Sequence, residues 1–91
     1  MLNSVSLIGH LGEIDKEEKR IRYLYVERFF SKYDGNIELD KIPIVNWNKE
    51  VKGEIFSFNE KSIVAIRGRI ESLNNIVVIV VETIVYLGIK Y

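Results

Sequence analysis

Hydrophobic and polar residues alternate over residues 3–11: Val5, Leu7, Gly9 and Leu11 share one face, and Ser4, Ser6, Ile8 and His10 the other. A period of two is the signature of a strand with one buried face. Gly12 and the charged stretch to Lys19 read as a turn or loop tip. Residues 20–33, rich in aromatic and β-branched types, read as a second strand. Asp34-Gly35-Asn36 is a strong turn signal and predicts a hairpin into a third strand over 37–47. Pro43 lies inside that strand. It cannot donate to a ladder, so it predicts an edge, a bulge or a bend. Over 49–58, Val51, Ile55 and Phe58 fall at helical spacing. A short helix is expected there, weakened by Gly53 and capped by Asn46 or Asn48. Residues 61–71 read as a fourth strand, Asn74-Asn75 as a tight turn, and 76–87 as a long fifth strand.

The predicted order is β-β-β-α-β-β, in an all-β chain of 91 residues that suffices for a single domain over 1–91. One short helix between strands three and four of a five-stranded barrel is the OB-fold order. The fifth strand is apolar on both faces. Its second face needs a cover, from the same chain or from a partner subunit; the partner is the reading taken forward.

Composition narrows the chemistry. There is no cysteine and His10 is the only histidine, so disulfides, thiolate metal sites and multi-histidine sites are excluded. No phosphate loop, nucleotide fingerprint or metal-ligand spacing occurs, and neither an enzyme nor a cofactor is expected. The chain lacks a secretory signal pattern and a long apolar span, so a cytoplasmic setting is expected. Lys plus Arg equal Asp plus Glu at 13 each, which counts against a strong nucleic-acid ligand without excluding a local basic patch.

Ten residues are Phe, Tyr or Trp. Arg22, Tyr23, Tyr25, Arg28, Phe29, Phe30, Lys32 and Tyr33 interleave base with ring, the mixture that lets nucleobases stack while cations meet phosphates. The same rings could equally be core or interface residues. Trp47 ends the third strand beside Lys49. Arg67 and Arg69 share one face of strand four, opposite Val64, Ile66 and Ile70, which are expected to fill the barrel.

Three stretches carry a family resemblance: Asn3, Val5, Leu7, Ile8, Gly9 and Leu11; Ile44, Val45, Trp47 and Lys49; and Ser62, Ile63, Ala65, Ile66, Gly68, Arg69 and Ile70. In these the chain resembles the bacterial single-stranded DNA-binding protein family over nearly its whole length. The resemblance implies an OB barrel, usually a homotetramer, that coats single-stranded DNA in replication, repair and recombination. It implies base stacking for Trp47, with Phe30 near another aromatic used by some members. The nucleic-acid face is therefore expected to include Trp47, Phe30, Tyr33, Arg22, Tyr25, Arg28, Lys32, Lys49, Arg67 and Arg69, and the expected partners are single-stranded DNA and further copies of the chain, a tetramer before a dimer. Replication or recombination proteins are further possible partners.

The chain also departs from the family. Ser72-Leu73-Asn74-Asn75 replaces a long hairpin, Lys61 stands where Gly is usual, and the sequence ends at Tyr91 with no disordered linker or acidic tip. It reads either as a trimmed piece or as a short member. The alternative is an OB-fold protein-interaction module similar to primosomal replication protein N.

Overall fold

The computed structural model describes residues 3–28 and 38–90. Five strands and one helical turn follow in the order β1 (Val5–Ile14), β2 (Ile21–Glu27), β3 (Leu39–Asn46), α1 (Glu54–Ser57), β4 (Ser62–Leu73) and β5 (Ile76–Ile89). The strands close into a barrel in the order β1-β2-β3-β5-β4, with β3 and β5 parallel and the other pairs antiparallel. A closed five-stranded barrel with a short helix between β3 and β4 is the OB architecture.

Alternation decides the interior. Leu11, Leu24, Ile44, Val64, Ile66, Ile79 and Val81 point inward from all five strands, and Ile55 of α1 closes one end. Val5, Leu7, Val26 and Ile42 pack around them. β4 places Gly68 directly against β5, where an added Cβ would collide with the Val80 carbonyl oxygen. Pro43 pairs with Tyr23 of β2 one residue before β3 gains β5 as a second partner at Ile44. At Pro43 the strand is still an edge, which is where a residue without an N–H belongs. Asn74 and Asn75 both have positive φ, 51° and 66°, as a tight hairpin of primed type requires.

Several expectations change. β1 runs on through Gly12 to Ile14, so the β1–β2 loop is shorter than the charge pattern suggested. The helix shrinks to four residues. Gly53, at φ 141°, precedes it without a side-chain cap, and Lys49 at φ 58° turns the chain earlier. Val51 is exposed, and only Ile55 of the helical trio is fully buried. Asn46 and Asn48 do not cap α1. The Asn46 amide donates to Asn48 Oδ1 and to the Lys52 carbonyl, bracing the turn ahead of the helix. Ile70 keeps the inward phase of β4, but the hairpin has by then left the barrel mouth and Ile70 is exposed. There the Asn3 side chain donates to the Ile70 carbonyl and accepts from its N–H, at 2.7 and 3.0 Å.

The two apolar faces of β5 divide along its length. Ile79 and Val81 enter the barrel, while Val78 and Val80 join Ile21 and Val45 in a second cluster covered by Tyr23 and Leu73. Over 78–81 the chain covers both faces itself, which corrects the expectation of a partner there. Beyond Glu82 the situation reverses. Val85, Leu87 and Ile89 are exposed. Register shifts against β4 fall at Glu82 and Leu87.

Candidate nucleic-acid interface

Among the described residues, the turn after β3 carries the most exposed ring that the sequence singled out. Trp47 follows Asn46, the last residue of β3, and a backbone bond from Lys49 N–H to the Asn46 carbonyl closes the turn. The indole is 65% exposed. Burial would be the default for a large ring, so this side chain is held out by the turn rather than by lack of core.

Lys49 leaves the same turn and reaches across β5 to Glu71 of β4, with Nζ 2.6 Å from Oε1. Arg69, two residues before Glu71 and hence on the same face, donates through Nε to the other carboxylate oxygen. Its Nη1 lies 3.8 Å from Glu82. Both donors hold the Glu71 carboxyl below its ordinary range, Lys49 contributing most. Trp47, Lys49 and Arg69 thus belong to one corner, made by the end of β3, its turn and the outward side of β4.

Arg67 is also outward and exposed on β4, but its row is different. It pairs with Ser6 of β1 and Thr83 of β5. It lines a broad concavity whose floor is apolar: Ile8, Ile63, Ala65 and Val85, with His10, Tyr25, Glu27 and Lys90 among the rim residues. Ile8 faces Ala65, which in turn faces Val85, so the three form one row across β1, β4 and β5. Ile8 is 62% exposed.

The outward face of β2 is aromatic, as expected, but its rings are occupied. Tyr23 donates to Asp15 at 2.5 Å, and Lys41 sits 4.1 Å above its ring. The acceptor bond pushes Tyr23 up to about 12. Tyr25 donates to Glu13 at 2.7 Å and stacks on His10 with centroids 5.3 Å apart. The Tyr25 ring lies across Gly12, where any Cβ would strike it. Burial, with Lys90 nearby, lowers the His10 pKa. Arg28 is exposed but bound to Glu38 and Asp40, at 2.5 and 2.7 Å.

Arg22 is a correction. It was expected on the binding face, but it is only 4% exposed and points inward with Leu24. Its guanidinium donates to the carbonyls of Gly12, Ile55 and Phe58 at 3.0, 2.8 and 2.6 Å. Arg22 therefore ties α1 and its exit to the barrel wall. Burial pulls its pKa below the ordinary guanidinium value. Phe30, Lys32 and Tyr33, with Phe29, lie outside the described residues.

The site residues that the sequence reading did not single out are acids and a ring. Glu71 could have been found, because it shares the outward phase of Arg69 two residues away. Glu13 and Asp15 needed the β1–β2 register, and the His10–Tyr25 stack needed the pairing of those two residues.

No family model matches the chain, and no curated protein matches it by sequence. Among solved structures, it is similar to the dimeric structure of the N-terminal domain of PriB protein from Thermoanaerobacter tencongensis. The likeness has a TM-score of 0.49 and 15% identity, and covers 93% of this chain and 96% of that one. The OB assignment rests on the barrel's own strand order and on the place of α1.

Proposed function

We propose that this chain is a sequence-tolerant single-stranded DNA-binding OB domain that acts, without catalysis, in DNA replication, repair or recombination. The observation that carries the reading is the exposed Trp47 in the turn after an OB barrel's third strand, two residues from Lys49, which converges with Arg69 of β4 on Glu71. A flat apolar ring in water, with cations on the same turn and on β4, offers a base a stacking partner and its phosphates a counter-charge. Glu71 and Glu82 temper that charge, in keeping with a chain whose net charge is zero.

Self-association is the second part of the proposal. The row Ile8–Ala65–Val85, with Ile63, is an apolar sheet face of the sort that soluble chains cover. Among the described residues, Val5–Gly9 of β1 have ladder partners on the β4 side, while pairing with β2 begins at His10. Two copies meeting on the apolar face would give a dimer, and pairing of such dimers the tetramer. The same face favours the alternative reading, an OB module whose main work is protein association.

Titration with oligo-dT separates the two. Binding should quench Trp47 fluorescence and weaken with salt, at a slope of about 0.7 per phosphate contact for a single strand. Trp47→Ala, followed by anisotropy of a labelled oligo-dT, should cost about 1–3 kcal/mol of binding. Unchanged binding by a folded Trp47→Ala variant would remove Trp47 from the interface. No binding by either the parent or a variant freed of Glu71 would leave the association module.

A further inference from the structure

We propose that Glu71 is an internal phosphate mimic, a carboxylate that holds the place of a DNA phosphodiester between Lys49 and Arg69 and so sets how tightly the chain binds. The inference rests on the DNA-binding reading above and names the group that regulates its site. Lys49 arrives from the turn after β3, and Arg69 from β4, with β5 between them. Arg69 shares a strand face with Glu71, but Lys49 comes from the far side of β5, and the two cations end on the two oxygens of one carboxylate. A phosphodiester presents the same pattern, two non-bridging oxygens sharing a single negative charge.

The mimic is displaceable. Glu71, Lys49 and Arg69 are all partly exposed, and exposed ion pairs are individually weak. The carboxyl nonetheless stays ionised, because both donors hold its pKa down. A strand stacked on Trp47 must therefore exchange Glu71 for a phosphate at this clamp. Glu82, at 3.8 Å from Arg69, gives the released guanidinium a second acid to contend with. A chain built this way binds less tightly than its cations alone would allow, and its binding is readily reversed.

The test compares three proteins by anisotropy of a labelled oligo-dT over a salt series: the parent, Glu71→Gln and Glu50→Gln. Glu50 is an exposed acid on the same turn as Lys49, so its removal reports net charge alone. Glu71→Gln should bind roughly 3- to 10-fold more tightly at low salt, beyond any gain in Glu50→Gln. Its salt slope should steepen by about 0.7 for each cation newly given to phosphate. Adding Lys49→Gln to Glu71→Gln should remove most of the gain, which a general effect on folding would not do. If the parent binds and Glu71→Gln gains no more than Glu50→Gln, the mimic is overturned and the DNA-binding reading stands. If neither the parent nor Glu71→Gln binds, both fall. Binding gained only by Glu71→Gln supports the mimic in its strongest form.

Discussion

The outer surface of β2 and the outer surface of the β1-β4-β5 sheet both present large side chains outward and end in opposite states. On β2 every large outward ring has a partner: Tyr23 has Asp15 and Lys41, and Tyr25 has Glu13 and His10. On the β1-β4-β5 sheet, Ile8, Val85 and Leu87 stand in water with no polar group to justify them. The first surface is complete within one chain. The second has no such partners among the described residues. An aromatic-basic stretch is therefore a weaker sign of a binding face than a bare apolar row, because rings and bases can satisfy one another locally.

The inward side of β2 sharpens that contrast most strongly. If β2 is a finished structural strand, Arg22 is part of its foundations. Arg22→Met keeps much of the side-chain volume but leaves the Gly12, Ile55 and Phe58 carbonyls without their donor. Bonds from a charged donor and the cost of stranded buried carbonyls together predict a loss of about 3–5 kcal/mol. Urea unfolding measures it as a lower midpoint at similar slope. A loss under about 1 kcal/mol would return Arg22 to the surface cations and undo the contrast.

The opposite face gives the next largest effect. Ile8→Asp puts a charge in the middle of the apolar row, and a symmetric interface would bury it twice. The association constant should fall at least about 100-fold in sedimentation experiments, with the barrel intact by circular dichroism. Val77→Asp offers the control, since Val77 is equally exposed but pairs with Ser72 out on the hairpin. Equal weakening by both variants would mean that the row is not the interface. A monomeric parent at micromolar concentration would end the self-association proposal.

Strand order, the Asn74-Asn75 turn and the edge position of Pro43 were legible because each rests on a local rule: alternation, turn chemistry, a missing N–H; Asp34-Gly35-Asn36 lies outside the described residues. The helix was over-read because Val51, Ile55 and Phe58 match helical spacing by coincidence, while the backbone at Lys49 and Gly53 does not. Arg22 was misplaced because composition was weighed above phase. The inward phase of Leu24 already assigned Arg22 to the interior, where three carbonyls make a guanidinium acceptable. The Lys49–Glu71 pair was out of reach, since it joins elements 22 positions apart across an intervening strand.

The smallest predicted effect tests how completely the β2 surface is satisfied. Asp15 accepts the Tyr23 hydroxyl, and this bond is the largest cause both of the raised Tyr23 pKa and of the lowered Asp15 pKa. An unfolded tyrosine ionises near 10, against about 12 here. The folded state therefore holds its proton more tightly. The bond contributes fully below pH 10, and its contribution is lost as pH rises from there through about 12. On the acid side, Asp15 contributes above its ordinary value of 3.8 and loses that contribution as pH falls through its lowered folded value. Asp15→Asn removes the anion that favours the neutral phenol. Ultraviolet absorbance of the phenolate should then show one tyrosine moving from about 12 back towards 10. Tyr25 should stay where it is, because its partner is Glu13. If both tyrosines moved together, the ring partnerships on β2 would be a shared field rather than separate bonds, and that surface would be less settled than its contacts imply.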